Sequence, residues 1–326
     1  MEQQEQVVFD RIAYVYNLKP AIARDIWPGF DESKYDVPLI YYTDTSSFIA
    51  NPTERFLKSY HPKLVSQNSN IRIYKTSERF DSTPFHMATG FSTGDSTAYD
   101  NYAPFMHCSG FEETRKVIQD VSSTEEWVTM VVHEYFHGFQ YRHRNYFQSM
   151  SNNLSSVPQD SLRNIYLNNP WFKEKVDKEN KLLLLALDSE SRTEVDSLTT
   201  AFSKLREQRR KETKRRLGFD IENYEKIYET MEGTARYVEQ KLYEKFSDKV
   251  PDKRLTSSDT SYHSYGYFKN YKIDKDEWLY LTTKSGAYFY ATGFNMARLL
   301  DKLNIEYKAR LFREENLSLE DVLKAS

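Results

Sequence analysis

Apolar and polar positions change rhythm along this chain. Near the N-terminus, Val7, Val8, Ile12 and Tyr16 recur at helical spacing, which predicts an amphipathic helix over residues 5–17. Pro20 and Trp27-Pro28-Gly29 interrupt the pattern beyond that helix. Val37–Tyr42 is a short apolar run around Pro38, and Ile71-Arg72-Ile73-Tyr74 alternates; both predict strands. Residues 81–110 mix Gly, Ser, Thr and Asp with short aromatic stretches, predicting strands and loops that end in a strand near Ala103–Cys108. Ser123-Thr124-Glu125-Glu126 then has the capping-box pattern, a hydroxyl at the cap and a carboxylate three residues on, so a helix is expected from there to about Tyr141. Trp127, Val128, Val131, Val132, Tyr135, Phe136 and Phe139 make that helix apolar on most sides, which predicts burial. Residues 158–250 are dominated by helix formers and charges. Residues 286–303 set Phe294, Ala297, Leu300 and Leu303 at helical spacing. The expected fold class is α+β, with a mixed part over residues 1–142 that ends in the buried helix and a mainly helical part over residues 143–326.

Composition narrows the functions open to such a fold. The 326 residues are 39% hydrophobic, enough for a substantial core, and the net charge of −3 creates no field that calls for nucleic acid or an anionic membrane. The 25 tyrosines are read mostly as core. The stretch Lys204–Arg216 carries eight Lys/Arg and is read as a solvated helix face; no aromatic residue interrupts it to stack on bases. Cys108 is the one cysteine, which rules out an internal disulfide and a Cys-ligated zinc site and leaves a buried, inert thiol as the reading. The polar start Met1–Gln6 has no apolar leader segment, and the longest apolar run, Leu182–Leu187, is too short to span a bilayer. The expectation is a soluble protein with no membrane span. It is cytoplasmic as given, or secreted or periplasmic if a leader has been removed.

The chemistry concentrates in Val131-Val132-His133-Glu134-Tyr135-Phe136-His137. Residues i and i+4 share one face of a helix, so His133 and His137 are placed to bind one metal ion, and Glu134 projects close to the same face. There it would take a proton from metal-bound water and return it to a leaving amine, while zinc lowers the pKa of that water and polarises the carbonyl. A catalytic zinc needs a third protein ligand and an open position. No histidine follows at short ligand spacing. His143 is expected on the same helix, and His263 is the one later histidine, so a carboxylate is the natural third ligand. The best segment for it is Tyr228–Glu239, in which Glu229, Glu232 and Glu239 share much the same helix face.

His133–His137 followed by Glu232-Gly233-x-Ala235 resembles the Glu-zincin zinc metallopeptidases, whose aminopeptidase N-like branch carries the third ligand in an Asn-Glu-Gly-Phe-Ala pattern on the next long helix. Here Met231 stands in place of the Asn, and Glu232 follows His137 by 95 residues. The resemblance implies a zincin-like first lobe with a small mixed sheet, one Zn2+ per chain held by His133, His137 and Glu232, and Glu134 as general base and then acid. Glu229 is the alternative ligand. Gly233 and Ala235 become small residues at a close helix crossing. Tyr290, in Tyr288-Phe289-Tyr290-Ala291-Thr292-Gly293, becomes the oxyanion donor, with Tyr288, Tyr265 and His263 behind it. The implied partner is a peptide or protein substrate, lying as an added strand along residues 103–110, with His107 beside it. Segment 143–225 would be a helical hairpin over the site or filler away from it. The rival readings are a scaffold protein on the same fold, for which Glu134 would be dispensable, and a zinc hydrolase of a non-peptide amide.

Overall fold

The computed structural model describes residues 3–68, 70–78, 84–91, 104–154, 157–263, 265–271, 273 and 286–326. They form a mixed α+β protein, mostly helical, with one six-stranded sheet. The chain divides into two compact units, one of residues 1–142 and 238–272, the other of residues 143–237 and 273–326.

The first unit opens with α1 (Gln3–Ile26), which runs through Pro20 instead of ending before it. Proline inside a helix costs about 3 kcal/mol. Leu18, Lys19, Ile22, Ala23 and Ile26 are all buried on either side of it, and that packing outweighs the cost. The strands are β1 (Leu39–Tyr42), β2 (Ser47–Ala50), β3 (Lys63–Gln67), β4 (Arg72–Thr76), β5 (Met87–Phe91) and β6 (Pro104–Ser109), with α2 (Glu54–Tyr60) after β2. Their order is β3-β4-β2-β1-β6-β5; β1 and β6 are parallel, and the other neighbours antiparallel. All four residues of β1 are buried because both of its faces are covered. Ile40 and Tyr42 pack with Ile49 and Phe56 on one side, and Tyr41 meets Trp127 on the other. A strand covered on both faces reads as the unbroken apolar run seen here.

After α3 (Phe111–Val117) comes α4 (Thr124–Tyr141), opened by the expected capping box between Ser123 and Glu126. Every residue of α4 except Glu126 and Met130 is buried. It packs on β5 and β6, and Gly138 lets it approach the start of β1, since a Cβ there would lie 2.8 Å from the Val37 side chain. α5 (Arg144–Leu154) begins beyond a break, so His143 lies outside the motif helix, contrary to expectation. Strand β6 is paired on both sides, by β1 and by β5, so residues 104–109 have no backbone edge for an added substrate strand. Ala103 lies outside the described residues, as do 92–102.

The second unit contains α5, α6 (Gln159–Asn168), α7 (Pro170–Asp188), α8 (Arg192–Leu217) and the first part of α9 (Glu222–Phe246). Helix α9 is unbroken, and its last residues, 238–246, belong to the first unit, as does α10 (Lys253–Ser258). The second unit is completed by α11 (Tyr288–Lys302) and α12 (Leu319–Lys324). Its core corrects the reading of the basic stretch. Arg206, Arg209 and Arg210 of α8 are buried, not solvated, and bond to Glu179 of α7, Glu225 and Glu229 of α9, and Glu320 of α12. Lys204, Lys211, Lys214, Arg215 and Arg216 form the exposed side of the same helix. Helices α7 and α8 of segment 143–225 therefore contribute to this unit's core. Gly233 meets Gly293 where α9 crosses α11: a Cβ on Gly233 would lie 2.3 Å from the Gly293 backbone, as expected of a small residue at a helix crossing. Among the described residues no helix is long and apolar enough to cross a membrane.

Candidate metal centre

Helix α4 presents His133 and His137 from adjacent turns of one face, both buried. Each ring is held at Nδ1. His133 Nδ1 lies 3.1 Å from Glu239 Oε2 on α9, and His137 Nδ1 lies 2.9 Å from Gln140 Oε1, one turn further along α4. An ionised carboxylate and an amide oxygen only accept hydrogen bonds, so the proton of each neutral ring sits on Nδ1. Both Nε2 atoms then present lone pairs, and they face each other at 3.1 Å. Two lone pairs this close repel unless a cation lies between them. The Tyr141 ring lies nearly parallel to that of His137, with ring centroids 5.9 Å apart.

Glu232 completes the group. It stands two turns before Glu239 on the same unbroken helix α9, and is buried. One ligand atom each from His133, His137 and Glu232 lie within 4.8 Å of one another. A tetrahedral zinc with bonds of about 2.0–2.1 Å holds its ligand atoms about 3.3 Å apart, so the histidine pair is already near that spacing, and the donor set of two imidazoles and one carboxylate fits such an ion. Glu232 in turn accepts a hydrogen bond at Oε1 from the Gln159 amide.

Glu134 follows His133 and is the least buried of the four motif and ligand residues at 9% exposure, with His133 at 6%, His137 at 5% and Glu232 at 4%. The Thr89 hydroxyl of β5 lies 2.9 Å from Glu134 Oε2 and 2.6 Å from its carbonyl oxygen, tying the carboxylate to the sheet. Cys108 is buried, and burial together with the nearby Glu134 charge pushes its thiol well above the usual range, so it is inert as a nucleophile.

The remaining candidates separate. Glu229 is one turn from Glu232 but bonds both carboxylate oxygens to Arg206 in the buried ion network. Glu239 serves as the partner of His133. Tyr290 is half-buried on α11, its ring under the guanidinium of Arg236, which lies one turn beyond Glu232. Tyr288 is fully buried and donates to Glu225. The His263 backbone N–H donates to Glu125, and its ring stacks on Tyr267. The Tyr265 side chain lies outside the described residues. His107 lies on the sheet face opposite Met106, whose register partner Thr89 reaches Glu134; its Nδ1 is 3.1 Å from that of His86. Gln140 could have been found in the sequence, since it follows His137 by one helical turn. Thr89 and Gln159 leave no local signal, because each acts across a distance in sequence. Comparison with protein-family models, with curated proteins and with solved structures finds no match for this chain.

Proposed function

We propose that this protein is a zinc-dependent hydrolase of Glu-zincin type that cleaves peptide bonds. The observation that carries the reading is the convergence of the two Nε2 lone pairs, each ring locked by its own Nδ1 partner, with the Glu232 carboxylate beside them. His133, His137 and Glu232 hold the ion. Zinc, when bound, acidifies a water molecule and polarises the carbonyl to be attacked. Glu134 is the base that takes the proton of the attacking water and then delivers it to the leaving amine. The Thr89 hydroxyl keeps that carboxylate in one orientation. Tyr290, on the helix that crosses α9, supplies the hydrogen bond to the oxyanion. Strand β5 is paired by β6 on one side and is the sheet edge among the described residues, next to α4. An extended peptide added along it would run past Glu134, which favours a peptide over a compact amide.

Metal analysis and turnover test this directly. Wild-type protein purified under zinc-replete conditions should hold one zinc per chain, and His137→Ala and Glu232→Ala should lose it. Glu134→Gln should retain the zinc and lose about 10²- to 10⁴-fold in turnover on a peptide library. Zinc-free wild type would end the proposal, as would full turnover by Glu134→Gln.

A further inference from the structure

The surroundings of Glu232 show how that carboxylate is presented. Residues 157–159, which lead into α6, are pinned to α9 at two points. The Tyr228 hydroxyl, one turn before Glu232, donates to the Val157 carbonyl at 2.8 Å, and the Gln159 side-chain amide donates to Glu232 Oε1. Burial and the nearby charge of Glu232 push the Tyr228 hydroxyl up to about 12, so it stays a proton donor over the working pH range. Gln159 is the first residue of α6 and is half-buried. A carboxylate can bind a metal through one oxygen or through both. An N–H donor on Oε1 competes with the ion for that oxygen and so favours binding through the other oxygen alone, and a zinc ion with three single-atom ligands keeps positions for water and for the substrate carbonyl.

We propose that Gln159 is a positioning residue that makes Glu232 a one-oxygen ligand and thereby keeps the metal's remaining positions open. The inference rests on the metal centre proposed above. Without the Gln159 amide, Oε1 rotates toward the ion and fills a position that the reaction needs.

Cobalt(II) in place of zinc reports this, because four-coordinate cobalt absorbs visible light more strongly than five-coordinate cobalt. The variants are Gln159→Ala and Gln159→Met, the second preserving side-chain length without the amide, and thermal midpoints confirm that both are folded. Wild type should take up one cobalt per chain with a strong visible band. Both variants should also bind one cobalt, with a weaker band, and their zinc forms should lose about 10- to 100-fold in kcat with little change in KM. If the band and kcat of both variants match wild type, the role of Gln159 is overturned while the metal centre stands. If wild type binds no metal, the reading beneath it falls first.

Discussion

His133 and His137 share a tautomer but not a partner: one imidazole leans on a carboxylate and the other on a neutral amide. The difference has a measurable consequence. A carboxylate at Nδ1 makes the ring a stronger metal donor than an amide does, so Glu239→Gln should weaken zinc binding by about 10- to 100-fold in a chelator competition, with the fold unchanged. Affinity equal to wild type would mean that Glu239 only packs. These residues also mark how far the sequence could be read. His133, Glu134 and His137 were legible because helical spacing by itself puts them together. Glu229, Glu232 and Glu239 were not separable by spacing, since all are glutamates on one helix face, and only the resemblance singled out Glu232 with Glu229 behind it. Arg206 draws Glu229 away and His133 takes Glu239, and both of those partners come from other helices.

Secondary structure followed the sequence where local signals agree, as in α4, whose capping box and apolar surround both predicted it. The pattern failed where packing from elsewhere overrode a local signal. Pro20 reads as a stop, yet α1 continues because the residues beyond it are buried. The resemblance put an added substrate strand along residues 103–110, but β6 is an inner strand, and the order of strands in a sheet is not written in their alternation. The α9–α11 crossing is the element-scale feature that most directly aims Glu232, the neighbour of Gly233. In Gly233→Ala the new methyl would meet Gly293 backbone at 2.3 Å, and no side-chain rotation relieves a backbone contact. Alanine gains about 1 kcal/mol in helix propensity. Overpacking of this kind costs about 1–3 kcal/mol, and more against backbone, so the variant should be less stable than wild type in urea titration and bind zinc more weakly. An unchanged or higher urea midpoint would show that the helices do not cross this closely.

At the scale of the molecule, a modest net charge hides a concentration of buried charge. Three arginines and four glutamates fill the core of the second unit, and charge counting along the chain could not reveal this because a helix with buried and exposed basic residues has the same composition as one with all of them solvated. Burial works against ionisation of Glu225, but Arg209, Arg210 and Arg206 outweigh it and lower its pKa from 4.5 to about 2. Glu320 is held well below the usual range in the same way, burial being outweighed by Arg206 and Arg210. A carboxylate lowered in the folded state contributes stability that is complete above its unfolded value and disappears as pH falls through the folded value. Glu229 has the opposite sign: burial and its carboxylate neighbours raise it despite Arg206, so its protonation does not oppose the fold. Two carboxylates against one set the direction, and the helical circular dichroism signal of wild type should be lost as pH falls from about 4.5 toward about 2. In Arg206→Met the carboxylates lose a shared partner, their folded values rise, and the acid transition should move to higher pH. At neutral pH the same variant should lose about 3–5 kcal/mol in urea titration, because charges left buried without their partner cost more than the ion pairs gain. Stability equal to wild type at neutral pH, with an unmoved acid transition, would show that the network can be emptied without consequence for the fold.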